Sequence, residues 1–365
     1  MKIPKMNSNV NKKRWALCGT RGVPGAYGGF ETFCDQFCKK NYESNYPLDL
    51  LVFCDKTVER GVAFDYADRF FIPISANGIQ GIFYDSLCIL YSILVRRDIL
   101  LLGCSGAFFI PLARIFGIRV ITNIAGLEWS RSKWGFIAQK ALKLFEAMAV
   151  KFSNVVIADN HFINKYINKT YSIDPITIAY GGDQVLDYEN TPVKVPYDEY
   201  YFSMARCQPD NNIEMILDSF ITSDRNLVFV SNWSADSFGK HILEKYDGYA
   251  NICLMNAIYD IGKTNYLRSN SIAYIHGHSA GGTNPVLVES MFLECPCICF
   301  DNAFNNATTF DEAFYFSNTK QLSGILLTLK EFELFNSASI LKKLAFENYM
   351  WNSICNSYLE VLNDI

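Results

Sequence analysis

The sequence of 365 residues lacks several features that would place it in a familiar class. Its 12 cysteines include no Cys-x-x-Cys pair and it has only four histidines, which argues against a zinc site or a disulfide-rich secreted fold. Its most apolar stretch, 99–113, is shorter than the roughly 20 residues of a membrane span and contains glycine and proline. The amino terminus has no apolar signal-peptide core. We therefore expect a cytoplasmic protein with reduced thiols.

The sequence also has no Asp-x-Asp motif. A carboxylate pair of that kind holds a divalent cation on the diphosphate of a nucleotide. We therefore expect no metal ion and no other cofactor, and we expect no nucleic-acid partner. Half of the residues are apolar and 19% are charged, as in globular proteins, and the length favours two domains.

The charge is distributed unevenly along the chain. Residues 1–180 carry 22 lysines and arginines against 14 acids, whereas 181–365 carry 11 against 23. Five of the positive charges lie at the amino terminus, namely Lys2, Lys5, Lys12, Lys13 and Arg14. A basic amino-terminal half suits an anionic membrane surface or a phosphate-bearing acceptor, but a solvated basic tail explains the same charges.

Short apolar runs alternate with helical patterns in both halves, which is typical of parallel sheets flanked by helices. In the first half we predict strands at 15–19, 48–54, 98–103, 119–124, 154–158 and 176–179. In the second half we predict strands at 201–204, 226–230, 252–254, 272–275 and 297–300. We therefore predict an α/β protein with two doubly wound, Rossmann-like domains that face a cleft, and with ligands at the carboxyl ends of the strands.

The predicted domain limits follow from this pattern. They are a basic disordered leader at 1–14, an amino-terminal domain at 15–182, a polar linker at 183–200, a second domain at 201–345 and a carboxyl-terminal helix at 346–365. A long helix is predicted at 133–152, with Lys140 and Lys143 on its polar face.

A glycine-rich segment, GTRGVPGAYGGFE at 19–31, lies between the first predicted strand and helix. Glycine lets the backbone approach a ligand closely, and a helix amino terminus favours an anion. Gly19, Gly22 and Gly25 with Asp55 also imitate a dinucleotide-binding fingerprint, although their spacing differs from G-x-G-x-x-G.

Two segments of the second half could bind a phosphorylated ligand. Arg206 follows a predicted strand, where its guanidinium suits a diphosphate, although an ion pair with the acidic linker is the structural alternative. In HGHSAGGTNPVLVESM at 276–291, a strand runs into a glycine-rich turn and then into a helix that begins at Pro285. That arrangement exposes backbone N–H groups to a phosphate. Glu289 lies one turn into the helix and is expected to be partly buried.

Seven segments together resemble the retaining family 4 glycosyltransferases. More closely, they are similar to the bacterial polysaccharide branch that includes rhamnosyltransferases of capsule and O-antigen synthesis. The segments are GTRGVPGAYGGFETF (19–33), GLEWSRSKW (126–134), IADN (157–160), YGG (180–182), ARCQPDNN (205–212), SNWSADSFGK (231–240) and HSAGGTNPVLVESM (278–291). The first, second and last are specific to that branch.

The resemblance implies the GT-B architecture and a hexosyltransferase that is peripheral at the inner face of the plasma membrane. Such an enzyme moves a sugar, with retention, from a dTDP- or UDP-sugar such as dTDP-rhamnose. The implied acceptor is a polyprenyl-diphosphate-linked oligosaccharide of capsule, O-antigen or lipopolysaccharide synthesis.

The resemblance also implies roles for individual residues. Arg206 would hold the donor diphosphate and Glu289 the ribose, and these two are the expected catalytic residues. The other donor-binding residues would be Gly28, Gly29, Asn211, His278, Ser279, Gly281, Gly282, Thr283 and Asn284. The acceptor-side residues would be Glu128, Trp129, Arg131 and Asp159.

Three positions depart from the pattern of the family. Gly281 stands where the wider family has a glutamate, and Asn211 stands near the place of a lysine. Ala125 replaces the aspartate of the Asp-Gly-Leu-Glu-Trp motif. Two other functions therefore remain open: a nucleotide-sugar-modifying enzyme such as an epimerase, which needs no acceptor, and a catalytically weak binding homologue.

Overall fold

The computed structural model describes residues 12–25, 28–44, 47–131 and 134–365. The predicted leader lies outside the described residues up to position 11, and Arg14 begins the first strand rather than ending a disordered segment. By its contacts the chain forms two compact units, one of residues up to Ile121 with Cys355–Ile365 and one of Thr122–Ile354. The predicted linker at 183–200 falls inside the second of these units, and the predicted domain limits stay a prediction.

The strands form two sheets. The first has the order β3-β2-β1-β4-β5-β6-β7 and the second has the order β10-β9-β8-β11-β12-β13. The strands of the first sheet are β1 (Arg14–Cys18), β2 (Asp49–Cys54), β3 (Asp68–Phe71), β4 (Asp98–Leu102), β5 (Val120–Ile124), β6 (Val155–Ala158) and β7 (Ile176–Thr177). Those of the second are β8 (Tyr201–Met204), β9 (Leu227–Ser231), β10 (Ile252–Asn256), β11 (Tyr274–His276), β12 (Cys297–Phe300) and β13 (Phe314–Phe316).

Helices connect most of the successive strands, and β2 is followed directly by β3 without a helix. They are α1 (Gly29–Glu43), α2 (Gly78–Leu94), α3 (Ile110–Ile115), α4 (Phe136–Phe152), α5 (His161–Tyr171), α6 (Ile213–Ile221), α7 (Ser237–Tyr246), α8 (Ile261–Ser269), α9 (Pro285–Phe292), α10 (Ala303–Thr309), α11 (Thr319–Thr328), α12 (Glu331–Asn348) and α13 (Trp351–Asp364). The pairings within the second sheet are all parallel. In each sheet the first strand, β1 or β8, lies in the interior. The chain adds the next two strands on one side of it and the remaining strands on the other, which is the doubly wound order. The predicted fold class is confirmed.

Both faces of the second sheet are buried because apolar side chains occupy successive positions of its strands. Tyr201 of β8 and Phe229 of β9 pack on one side with Phe220 of α6. The adjacent residues Phe202 and Val228 pack on the other side, with the apolar residues of α9. A strand buried on both faces reads as an apolar run, and this explains why the sequence predicted these strands.

Five elements of the structure were absent from the prediction. Each is short or carries many polar residues, and they are β3, α5, α7, α8 and β13. The cysteines are free and most of them are buried. Among the described residues, we find no helix with the length and apolar character needed to cross a bilayer.

Candidate functional site

The turn that follows β11 has a backbone that only glycine adopts easily. Gly281 has a φ of +146°, so a side chain at this position would be strained. The Asn284 side chain caps α9 by accepting a hydrogen bond of 3.1 Å from the N–H of Val286. Pro285 occupies the first helical turn, where its missing N–H costs nothing. The predicted glycine-rich turn and helix start are therefore present as a structural unit.

The loop after β8 is fastened to this turn. Ser279 donates two hydrogen bonds to the backbone oxygen of Asp210, from its N–H at 2.9 Å and from its hydroxyl at 2.8 Å. The Asn211 side chain donates to the backbone oxygen of Arg206 at 2.6 Å. A Cβ atom at Gly277 would clash with the backbone of Asn211, so the two loops touch directly. The structure thus brings Arg206, Asn211 and Ser279 together.

Arg206 is exposed to solvent at the carboxyl end of β8. It makes no ion pair with any described residue, and this includes every acid of the segment 183–200. The alternative of an ion pair with the linker is therefore not realised. An exposed, unpaired guanidinium beside a glycine-rich turn is available to an anionic ligand.

Two histidines stack at the end of β11. The rings of His276 and His278 lie 4.4 Å apart, and the Nδ1 atom of His276 lies 3.2 Å from the hydroxyl of Tyr274. Burial, with the positive charges of Arg206 and Arg131, lowers the pKa of His278 to about 3. Burial also lowers the pKa of His276. Both imidazoles are therefore neutral at pH 7, so His278 can contact a ligand by hydrogen bonding but not as a cation.

Glu289 is held by two side chains that the sequence did not reveal. Arg268 of α8 donates to its Oε2 at 2.6 Å, and Gln184 donates to its Oε1 at 3.0 Å. The Glu289 side chain is 19% exposed, which agrees with the expected partial burial. Burial raises the pKa of Glu289, whereas Arg268 and Gln184 lower it. Each carboxylate oxygen has one protein donor and keeps capacity for a second hydrogen bond.

The segment that contains Gln184 is packed against the protein. Gln184 is buried and accepts a hydrogen bond of 2.6 Å from the indole of Trp351, whose backbone N–H donates to Asp183. The carboxyl end of the second unit therefore supports Glu289 through Gln184. Sequence patterns gave no signal for Gln184 or Arg268, because neither lies in a motif.

The acceptor-side residues of 128–131 are engaged within the second unit. Glu128 accepts hydrogen bonds from Trp134 at 3.0 Å and from Arg131 at 3.2 Å. Arg131 also donates to the carboxylate of Asp210 at 2.9 Å. Asp210 follows β8, so Arg131 lies beside the loop that carries Arg206. The structure therefore places Arg131 with the donor-side loop.

Trp129 belongs to an aromatic cluster around Lys143. The ammonium of Lys143 lies 4.5 Å from the rings of Trp129 and Tyr166, and it pairs with Glu146 at 2.8 Å. The indole of Trp129 donates to the same carboxylate, which is buried. Lys143 is only partly exposed, because Glu146 and the ring faces attract the ammonium inward. Lys133 lies outside the described residues.

Asp159, which was expected on the acceptor side, contacts the glycine-rich turn. Its Oδ2 accepts a hydrogen bond of 3.2 Å from the N–H of Thr283, and its backbone oxygen accepts one from the Thr283 hydroxyl. Gly126 approaches the same turn, since a Cβ atom added there would lie 2.9 Å from the backbone of Gly281. Ala125 is therefore adjacent to a residue that contacts the turn.

Gly28 and Gly29 belong to the first unit. Gly28 has a φ of +126° and Gly29 begins α1. A Cβ atom at Gly28 would clash with the carboxylate of Glu31, which accepts a hydrogen bond of 2.8 Å from the N–H of Arg21. The glycine at position 28 is thus required by its own loop. Residues 26 and 27 of this loop lie outside the described residues.

Asp55, the acidic residue of the dinucleotide alternative, is fully buried at the end of β2. Its Oδ1 accepts from the N–H of Thr57 at 2.8 Å, and its Oδ2 accepts from the N–H of Ala76 at 3.1 Å. A carboxylate that is committed to two backbone groups and shielded from solvent is poorly placed to bind a ribose. The position of Asp55 therefore argues against the dinucleotide-binding alternative.

No cluster of three or more histidine, cysteine, aspartate or glutamate side chains in the described ranges is arranged to hold a metal ion. The carboxylates of Asp159, Asp210 and Glu289 are each bound to a different partner. The arrangement around the turn therefore offers an arginine, the neutral His278 and backbone groups to a ligand.

The fold of this chain is similar to that of several proteins of known structure. A family model described as "Domain of unknown function (DUF1972)" matches residues 12–183. No curated protein matches the chain. The sucrose-phosphate synthase of Thermosynechococcus elongatus matches with a TM-score of 0.80 at 12% identity, over 97% of this chain and 99% of that one.

Two further solved structures are similar over nearly the whole chain. The E. coli protein described as trehalose-6-phosphate bound with UDP-2-fluoro glucose has a TM-score of 0.70 at 12% identity, covering 97% of this chain and 99% of that one. Anabaena HepE in complex with UDP has a TM-score of 0.65 at 11% identity, covering 97% and 100%. The structural neighbours are GT-B glycosyltransferases, and this chain has their two-sheet architecture. At such identities the similarity shows the fold alone.

Proposed function

We propose that this protein is a glycosyltransferase that uses a nucleotide-sugar donor. The observation that carries the proposal is the meeting of the exposed, unpaired Arg206 with the glycine-rich turn at 279–284, at the carboxyl ends of β8 and β11. In a doubly wound sheet, ligands bind at this edge. Structures with the same fold contain UDP or a UDP-sugar, which supports a nucleotide ligand.

Arg206 and Glu289 have separate roles in this proposal. The bond between the anomeric carbon and the diphosphate breaks while a bond to an acceptor hydroxyl oxygen forms, and the proton of that hydroxyl passes to the departing diphosphate. Negative charge grows on the diphosphate, and Arg206 stabilises it without a metal ion. Glu289 accepts hydrogen bonds from the ribose through the free capacity of its two oxygens.

The neutral imidazole of His278 suits contacts to sugar hydroxyls. His278 precedes Ser279 in the turn and senses the charge of Arg206, and its Nδ1 atom makes no hydrogen bond with the described residues. A neutral imidazole can donate or accept one hydrogen bond at each ring nitrogen. With Gly281 in place of the glutamate of the wider family, we assign sugar contacts to His278 and to the backbone of the turn.

The choice of donor, acceptor and stereochemistry is based on the resemblance of the sequence motifs. We propose transfer of a hexose, with retention, from dTDP-rhamnose or a UDP-sugar to a polyprenyl-diphosphate-linked oligosaccharide of a bacterial surface polysaccharide. Incubation with labelled dTDP- and UDP-sugars, with and without the lipid-linked acceptor, tests this. Labelled lipid product supports a transferase. An altered nucleotide sugar formed without acceptor indicates the epimerase alternative, and binding without any product indicates the weak homologue.

A peripheral position at the inner face of the plasma membrane is the remaining part of the proposal. Helix α2 exposes a stripe of apolar side chains, and the segment of α3 beside it exposes more. These residues are Ile79, Phe83, Leu87, Leu94, Phe108, Ile115 and Phe116. Arg96 and Arg114 are exposed at the end of the stripe, and Arg96 donates to the backbone oxygen of Phe116 at 2.9 Å. Apolar area bordered by arginines suits an anionic lipid surface.

A further inference from the structure

The carboxyl group of Asp159 is buried beneath the glycine-rich turn. The residue follows β6 and is 5% exposed. Its two contacts with Thr283, one through the side chain and one through the backbone, attach the turn to the loop that precedes α5. A hydroxyl and an N–H of one turn residue are thus both committed to Asp159, which fixes the direction of the neighbouring backbone groups.

The turn is also packed tightly on this carboxyl group. A Cβ atom at Gly282 would clash with both carboxylate oxygens of Asp159. On another side, a Cβ atom at Gly126 would lie 2.9 Å from the backbone of Gly281, so position 126 has no room for a side chain. The contacts of Asp159 with Gly282 and Thr283 therefore help to determine the shape of the turn, in addition to the start of α9.

The charge of this carboxyl group has no compensation. Among the described residues no lysine, arginine or histidine forms an ion pair with Asp159, and its Oδ1 atom has no hydrogen-bond partner. Burial raises its pKa to about 7, and the N–H of Thr283 lowers it only in part. The other titratable group that it influences is Tyr349, whose buried hydroxyl donates to the backbone oxygen of Thr308.

We infer that Asp159 is a positioning residue of the donor site, which holds the turn at 281–284 in the shape that receives the diphosphate and tunes the charge beneath it. This inference rests on the proposed function, and it assigns Asp159 to the donor rather than to the acceptor. Protonated Asp159 leaves no net charge under the turn. Ionised Asp159 places an unpaired negative charge beside an anionic ligand in a medium of low dielectric.

The sign of the pH dependence follows from this geometry. Below a pKa of about 7 the carboxyl group is neutral, so a nucleoside diphosphate binds more tightly. Above that pKa the carboxylate repels the diphosphate, so the affinity falls as the pH rises. Binding energy is then lost between about pH 6 and about pH 8, one unit on each side of the pKa.

Calorimetric titration of UDP and dTDP into the full-length protein across this pH range tests the inference. In Asp159→Asn the amide keeps an acceptor for the N–H of Thr283 and cannot ionise, so the affinity should stay at the low-pH value of the wild type. Asp159→Ala removes both the acceptor and the charge, so its affinity should be independent of pH and about tenfold below the low-pH value of the wild type. Asp260→Asn is the matched control, because Asp260 accepts a backbone N–H at the start of α8.

Thr283 provides a second test that does not change the buried charge. Thr283→Val should weaken nucleotide binding because it removes the hydroxyl that bonds to Asp159, whereas Thr283→Ser should restore it. Hydrogen exchange of the segment 279–284 without nucleotide should accelerate in Asp159→Ala and not in Asp260→Asn. This readout remains available if no nucleotide binds.

Each outcome separates the two claims. A wild-type protein that binds neither UDP nor dTDP at any pH would refute the proposed function. A wild-type protein that binds them, with the same pH dependence in Asp159→Asn and the same affinity in Thr283→Val, would refute the role of Asp159 alone. A flattened pH profile in Asp159→Asn together with serine rescue at position 283 would establish it.

Discussion

The ion pair between Glu289 and Arg268 links the proposed donor site to the stability of the second unit. Arg268 is 1% exposed, and its Nε and Nη1 atoms make no hydrogen bond with the described residues. A guanidinium keeps its charge when buried, so its partner must remain ionised to offset the cost. In the proposed function Glu289 therefore serves two purposes, one toward the ligand and one toward Arg268.

Glu289→Gln should change both properties. Donor affinity should fall by about tenfold, because a charged acceptor of the ribose is replaced by a neutral one. The free energy of unfolding should fall by about 3 kcal/mol, because Arg268 loses its counter-charge. Calorimetric titration of nucleoside diphosphate and urea unfolding measure the two effects.

Glu294→Gln is the control for this substitution. Glu294 pairs with Lys342 at 2.7 Å, but both side chains are more than one third exposed. A surface pair of this kind contributes about 1 kcal/mol or less. Unchanged affinity in Glu289→Gln would remove Glu289 from the donor site, and equal stability losses in the two variants would show that Arg268 does not depend on it.

Ala125 is the departure from the family pattern that the structure brings closest to the turn. Its neighbour Gly126 has a φ of +130° and lies against Gly281. If the rest of the site is intact, Ala125→Asp should raise turnover or change the acceptor that is used. Transfer rates measured with several lipid-linked acceptors decide this. Rates equal to those of the wild type with every acceptor would show that position 125 takes no part in the chemistry.

At the scale of single elements, the apolar stripe of α2 and α3 is the candidate membrane contact. Phe83→Ser with Ile115→Ser should lower binding to anionic vesicles by about tenfold, because each exposed apolar side chain adds burial energy in the lipid. Co-sedimentation with anionic and neutral vesicles at low and high salt measures the effect.

The control for the stripe lies on α12, where Phe332 and Phe335 are equally exposed. Phe332→Ser with Phe335→Ser should leave vesicle binding unchanged. Loss of binding in both double variants would show that apolar exposure alone is responsible. Wild-type binding that does not distinguish neutral from anionic vesicles would contradict the role of Arg96 and Arg114.

The elements that the sequence predicted differ physically from those that it did not. Strands β8, β9 and β12 are apolar runs buried on both faces, and α9 begins with asparagine and proline, so local residues determine each of them. Strand β3 is only partly buried and lacks such a run. Its pairing with β2 depends on residues distant in sequence, which no local pattern contains.

The candidate site shows the same division. Arg206, Asn211 and the turn at 278–284 were predictable because they lie in contiguous motifs that end strands. Arg268 and Gln184 were not, because each meets its partner only after the chain has folded. The partial burial of Lys143 was not predicted for the same reason, since the ring of Tyr166 on α5 contacts its ammonium only in the folded chain.

At the scale of the whole molecule, two sheets share one strand order, and proteins of the same architecture bind UDP or UDP-sugars. Sequence identities of 11–12% leave the activity of this chain to be established by its own site. The central claim is that Arg206 and the glycine-rich turn support sugar transfer from a nucleotide without a divalent cation.

The measurement that tests this claim most directly is transfer of labelled sugar in the presence of EDTA. The donors are dTDP-rhamnose and UDP-glucose, and the acceptor is a synthetic polyprenyl-diphosphate-linked sugar. We expect labelled lipid product with one of these donors, unchanged by EDTA, and we expect Arg206→Ala to lower turnover more than donor affinity. A product that requires added magnesium, or that forms equally well with Arg206→Ala, would contradict the account.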